Sequence, residues 1–155
     1  MGTKVKLTDL LDMKLRGQKI VGVVAWDYQM ARIVDRAGVD LVSVGDTVGI
    51  NLWGQPNPLE ITMDQMVVVC QAVRRGVQRA LLSCDFPFGP LQDGRKSAVR
   101  AAIRLAKQAG IDMVKLDGGI RPPRCRDRGD ACRDSRVRSV RDHPPADFPQ
   151  IRCHV

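Results

Sequence analysis

The sequence predicts an α/β protein built on a parallel sheet, and three observations carry that reading. Apolar runs at Leu41–Val44, Ala80–Cys84 and Asp112–Leu116 each deliver an aspartate just past the run: Asp46, Asp85 and Asp117. Helical stretches precede the second and third runs. In a parallel β/α fold, strand ends of this kind share one face, so carboxylates roughly 35 residues apart converge. Hydrophobic residues make up 44% of the 155 and charged residues 27%, enough apolar material for a folded core.

Taken in order, Thr8 is a plausible N-cap for a helix over Asp9–Arg16 closed by Gly17. Ile20–Trp26 reads as a first buried strand. Asp27–Ala37 places Met30, Ile33, Val34 and Ala37 on one helical stripe, and Gly38 ends it. The strand Asp40–Val44 completes a βαβ unit with an expected right-handed crossover. Gly49–Ile61, rich in Gly and Pro, reads as a loop. Thr62 caps a helix over Met63–Arg75, stopped by Gly76. The strand Ala80–Cys84, a loop to Gly94, a helix over Lys96–Ala109 and the strand Asp112–Leu116 follow. Four strands alternating with helices make half of an eight-unit barrel or a small doubly wound sheet.

Composition narrows the class. The longest uncharged apolar run, Ile20–Trp26, is far short of the ~20 residues of a membrane span. The N-terminal stretch is too charged for a signal peptide, which points to the cytoplasm and to cysteines as thiols. The formal net charge of +8 is unevenly spread. Residues 1–119 hold 16 Lys+Arg against 12 Asp+Glu, whereas residues 120–155 hold 9 Arg, no Lys and 5 Asp. The same tail takes three of five cysteines, five of nine prolines and both histidines. The composition breaks at Gly119, which divides the chain into a barrel-like part, 1–119, and an Arg/Pro-rich tail, 120–155. Nucleic-acid binding is not expected of the folded part. In the tail, Cys125, Cys132, His143, Cys153 and His154 match none of the compact zinc spacings.

A single strand-end aspartate is usually a helix cap. Three at equivalent ends instead need a counter-charge, and a hard cation such as Mg²⁺ supplies one. Lys115 lies two residues before Asp117, on the same face of its strand. An inward lysine there is costly unless an anion, either a substrate carboxylate or the site carboxylates, pairs with it. The Gly-rich stretches lack the spacing of a P-loop or a dinucleotide fingerprint.

The runs AWDYQMARIVDRAGVDLVSVGDTVG, RRGVQRALLSCDFPFG and AGIDMVKLDGG resemble the ketopantoate hydroxymethyltransferase family, in register over about residues 5–119. The resemblance implies a (β/α)₈ TIM-type barrel, here partial, with about four β/α units and a non-native or disordered tail. It implies Mg²⁺ as cofactor and 5,10-methylenetetrahydrofolate as co-substrate, acting on a small 2-keto acid in pantothenate biosynthesis, in an enzyme whose intact form is a homo-oligomer. By it, Asp46 and Asp85 are metal ligands and Asp117 stands where the family usually has a glutamate ligand. Thr47 stands where the family often has serine beside the keto acid, and Lys115 matches its substrate-binding lysine. Asp46 and Asp85 thus border the substrate as well.

The chain departs from the family in three ways. Asp117 is shorter than Glu by a methylene, and GINLWGQPNP differs from the usual loop after the first aspartate. The family's general base is a glutamate well beyond residue 119, and here no Glu follows Glu60, so no catalytic residue is assigned and the chain is expected to be inactive. Back-translating Asp127–Pro144 and starting one nucleotide later gives approximately a sequence ending AMRAGIPVFAQFGITP, which resembles the family's next strand and loop. The tail therefore reads as a frameshifted translation. Two rivals remain: a related Mg²⁺ lyase or mutase of 2-keto acids on the same barrel, and a binding protein that uses a genuine basic tail.

Overall fold

The computed structural model describes residues 3–116 and the backbone of residues 136–139. Strands β1 (Gly22–Val24), β2 (Leu41–Val44), β3 (Leu81–Asp85) and β4 (Met113–Leu116) lie side by side in chain order, and all three pairings are parallel. The helices between them are α2 (Tyr28–Arg36), α4 (Met63–Gly76) and α6 (Arg95–Arg104), with α1 (Leu7–Leu15) ahead of the sheet.

The two faces of the sheet differ, and the difference separates the barrel from the doubly wound alternative. Val23, Val42, Val44, Leu82, Cys84 and Val114 share one apolar cluster with Ala31 of α2, Met66, Cys70 and Val73 of α4, and Ala98, Ala101 and Ala102 of α6. All three crossover helices therefore cover the same face. That is the winding of a barrel wall, whereas a doubly wound sheet carries helices on both faces. The opposite face, the barrel interior, starts with Leu41, Leu81 and Met113, which pack with Val5, Leu7, Leu10 and Met13 from α1 and its approach. Period-2 alternation along each strand produces this division.

Two buried carboxylates tie down the N-terminal ends of the strands. Asp35, 7% exposed, accepts backbone N–H bonds from Gln78 at 2.9 Å, Arg79 at 3.1 Å and Ala80 at 2.7 Å. Asp112 accepts from Lys4 Nζ at 2.9 Å, Arg74 Nη1 at 3.1 Å and the Leu82 amide at 3.0 Å. Where α2 and α4 cross, Gly76 lets the backbones approach: a Cβ on it would lie 2.7 Å from the Tyr28 carbonyl oxygen.

Several elements differ from the sequence expectation. Helix α1 starts at Leu7 rather than Asp9, because Lys6 is extended and its N–H donates to the Asp9 carboxylate at 2.8 Å, so Thr8 is not the cap. Strand β1 is three residues rather than the seven of Ile20–Trp26. The stretch read as one loop after β2 holds α3 (Val48–Trp53), stopped by Gly54 at φ +65, and a 3₁₀ turn at Pro58–Glu60. Short helix α5 (Phe88–Gln92) occupies the next loop, its Pro90 lying in the first turn where no amide is needed. The helix expected over Lys96–Ala109 divides into α6 and a π-helical turn, Leu105–Ala109, ended by Gly110 at φ +65.

Residues 136–139, within the stretch expected to be a non-native or disordered tail, form strand β5, antiparallel to β4, with Met113 opposite Ser139 and Leu116 opposite Arg136. Pairing satisfies the backbone groups along the outer edge of β4, which is reason enough for a four-residue segment to dock there. No helix among the described residues is long and apolar enough to cross a membrane.

Candidate functional site

The interior face changes character from bottom to top. Above the apolar layer of Leu41, Leu81 and Met113, Ser83 Oγ–H donates to Ser43 Oγ at 2.9 Å. One pleat further up, Asp85 stands opposite Lys115 in the β3–β4 register. Lys115 Nζ lies 3.0 Å from Asp85 Oδ2, with the lysine side chain 33% exposed and the aspartate 10%. The chain at Phe86 is held to the same place, its amide donating to the Lys115 carbonyl at 2.9 Å.

The end of β2 closes on this pair. A Cβ built on Gly45 would sit 3.7 Å from Asp85 Oδ2, so the backbone that leads into Asp46 runs against the Asp85 carboxylate. Asp46 is half-buried and Thr47 is exposed. Thr47 is also the residue from which α3 starts, so it sits at a turn rather than within a strand. Two of the three expected carboxylates, with Lys115, thus occupy neighbouring C-terminal strand ends. Asp117, the third, lies outside the described residues, as do Cys125, Cys132, His143, Cys153 and His154. Among the described residues there is no group of three or more His, Cys, Asp and Glu able to hold a metal.

Behind the site, on the helix-facing side, Cys84 and Cys70 are both free and buried. Cys84 Sγ–H donates to the Asp85 carbonyl at 3.1 Å. Its thiol is pushed well up by its hydrogen bond with Cys70, by burial, and by the nearby carboxylates of Asp85 and Asp46. It therefore stays protonated and is no nucleophile. The Ser43–Ser83 pair and this dithiol went unnoticed in the sequence. The signal for the serines was their spacing, since Ser83 precedes Asp85 by two residues and so shares its face. No local pattern marks Cys70 as a neighbour of Cys84.

A family profile for ketopantoate hydroxymethyltransferase matches residues 4–126. The chain belongs to that family. Among the relatives of this ketopantoate hydroxymethyltransferase-family chain is a 3-methyl-2-oxobutanoate hydroxymethyltransferase of Magnetococcus marinus. It is 44% identical over 119 residues, covering 77% of this chain and 44% of the relative. A protein of the same description from Thermosynechococcus vestitus is 45% identical over 114 residues, 74% of this chain and 44% of the relative. The chain thus spans less than half the length of the curated relatives it matches. Among solved structures, an oxaloacetate acetylhydrolase aligns with a TM-score of 0.49 at 15% identity, covering 65% of this chain and 36% of that one.

Proposed function

We propose that residues 1–119 hold the metal and keto-acid part of a 3-methyl-2-oxobutanoate hydroxymethyltransferase site, in the cytoplasmic pathway to pantothenate. The observation that carries the reading is the Lys115–Asp85 ion pair beside the Asp46 turn, at one end of a singly wound parallel sheet. Carboxylate oxygens are the donors a hard dication takes, and Mg²⁺ is commonly held by one or two carboxylates with water filling the remaining positions. Asp46 and Asp85 are the residues of this kind present, and Asp117 is the proposed third. When bound, the ion supplies Lewis-acid polarisation of a substrate oxygen.

The protein groups then divide the remaining work. The Lys115 ammonium neutralises the carboxylate of the 2-keto acid and fixes its direction, exchanging part of its contact with Asp85 for one with substrate. The Thr47 hydroxyl donates a hydrogen bond to the same small molecule from the α3 turn. The apolar layer below and the Ser43–Ser83 pair close the floor of the pocket. Removal of the substrate's proton needs a base, and no Glu follows Glu60. Loss of a positioned base costs about 10²–10⁴-fold in rate, so residues 1–119 taken alone are a binding half-site, and the proton-accepting group and the 5,10-methylenetetrahydrofolate partner belong to the remainder of the family's barrel. We propose too that residues 120–155 are a shifted reading of the family's next β/α units.

Calorimetric titration of Mg²⁺ or Mn²⁺ into the wild type, Asp46→Ala and Asp85→Ala tests the site. Each substitution is expected to weaken binding at least about tenfold. Equal binding by all three proteins would remove the metal assignment. Lys115→Met is expected to abolish binding of 3-methyl-2-oxobutanoate while metal binding persists. Sequencing the DNA across codon 119, and assaying a frame-corrected version beside this chain, tests the tail: equal turnover by the two would overturn the proposal.

A further inference from the structure

Below the Asp85–Lys115 pair the interior face of the sheet is apolar except at one place. Strand register sets Val24, Ser43, Ser83 and Met113 in one row, each beside the next. Leu41 and Leu81 lie one pleat below the two serines, and Asp85 lies one pleat above Ser83. Within the sheet the serines thus have apolar neighbours on both sides and underneath. Ser83, 3% exposed, donates its proton to Ser43 Oγ at 2.9 Å. Two hydroxyls carry two protons and four lone pairs, so one bond between them leaves the Ser43 proton for a third group. Above Ser43 the next residue on the same face is Gly45, which has no side chain. A Cβ there would lie 3.1 Å from Thr47 Oγ1 and 3.7 Å from Asp85 Oδ2. Its absence opens a passage from the Asp85–Lys115 pair down to the hydroxyls.

We infer that Ser43 and Ser83 select the substrate. The site takes a 2-keto acid whose side chain carries a neutral oxygen, a hydroxyl or carbonyl, on its fourth carbon, in preference to the branched apolar chain of 3-methyl-2-oxobutanoate. The inference rests on the keto-acid reading of Lys115 and narrows it. One pleat is about 6.6 Å. With the acid's carboxylate on Lys115, an oxygen on the fourth carbon descends most of that distance past Gly45, and a hydrogen bond of about 2.8 Å spans what remains. The side chain points this way because a one-carbon donor as large as a folate enters from the C-terminal ends of the strands, which leaves the floor to the keto acid itself. Ser43 is then the contact, and Ser83 is a positioning residue that holds Ser43 Oγ through the 2.9 Å bond. An apolar chain in the same place shuts water away from the Ser43 proton and offers it no acceptor. By that mismatch a polar pocket rejects an analogue lacking the matching group. A second carboxylate fits no better, since Asp85 already borders the passage and Lys115 is engaged with the first one.

Calorimetric titration into the 155-residue chain at saturating Mg²⁺ compares 4-hydroxy-2-oxobutanoate with 2-oxopentanoate, which has the same length and a methyl in place of the hydroxyl. The hydroxy acid is expected to bind about tenfold tighter, and tighter than 3-methyl-2-oxobutanoate as well. Ser43→Ala is expected to bring the ratio of the two affinities to about one, and Ser83→Ala to lower it part-way. A loss of packing alone would weaken both acids alike and leave the ratio where it was. If Ser43→Ala fails to fold by circular dichroism, Ser43→Cys takes its place, keeping a group of similar size that is only a weak donor. The wild-type comparison needs no variant at all. Equal affinities in the wild type, tighter binding of 2-oxopentanoate, or a ratio unchanged in the Ser43 variant would overturn the inference and leave the Lys115 reading standing. If neither acid binds the Mg²⁺-loaded chain, the keto-acid reading fails and the serine assignment with it.

Discussion

Asp35→Ala removes the acceptor that holds the turn between α4 and β3. The carboxylate is 7% exposed and takes the amides of Gln78, Arg79 and Ala80 at 2.9, 3.1 and 2.7 Å. Truncation leaves those three donors to find water, the Ala80 amide in a buried setting. An unsatisfied buried donor costs about 1–3 kcal/mol, and hydrogen bonds to a charged group are worth about 1.5–3 kcal/mol each. Partial rescue by water at the part-buried Gln78 and Arg79 amides, together with the relief of desolvating an ion, cuts the sum to about 3–4 kcal/mol. That is a large share of the 5–15 kcal/mol typical of a domain. Urea unfolding should show a lower midpoint with an unchanged slope. Asp64→Ala is the matched control: its partner Arg104 is a surface group and Asp64 itself is 79% exposed, so the expected change is within about 0.5 kcal/mol. A loss below about 1 kcal/mol for Asp35→Ala would refute the view that this carboxylate anchors the strand end.

Gly76→Ala pushes a methyl to within 2.7 Å of the Tyr28 carbonyl, 2.8 Å of Ala31 Cβ and 2.9 Å of the Arg32 amide. Backbone cannot yield cheaply, so α2 and α4 must separate at a cost of about 1–3 kcal/mol, read as a lowered melting temperature. Cys84 gives a pH dependence. Its thiol is pushed well above the ordinary cysteine range in the folded chain, first by its hydrogen bond with Cys70 and then by burial, so at high pH the unfolded chain has released a proton that the folded chain keeps. Stability is then full below the unfolded pKa and falls as pH rises beyond it. Cys84→Ala should flatten that alkaline decline, and thermal melts between neutral and alkaline pH will show whether it does. Neither Cys70 nor Cys84 should react with a thiol reagent until the chain unfolds.

Local chemistry made much of this protein readable as a string of residues. Apolar runs of four or five residues ending in aspartate located β2, β3 and β4, because a strand buried on both faces has little choice but to be continuously apolar. The Thr62 cap, the Met30, Ile33, Val34 and Ala37 stripe and the helix-stopping Gly38 act within a few residues, so α2 and α4 were legible too. The placement of Asp46, Asp85 and Lys115 at strand ends followed from the same runs. The rest depended on contacts between segments far apart in the chain. That all three crossover helices share one face, and so wind a barrel wall, is decided by which strand faces are buried together. The Lys115–Asp85 pair is set by the β3–β4 register, the Asp35 clamp reaches across more than forty residues, and the Cys70–Cys84 pair joins a helix to a strand. Strand β5 is the sharpest case: residues 136–139 carry no pattern that announces a strand, and it was the unpaired edge of β4 that made them one.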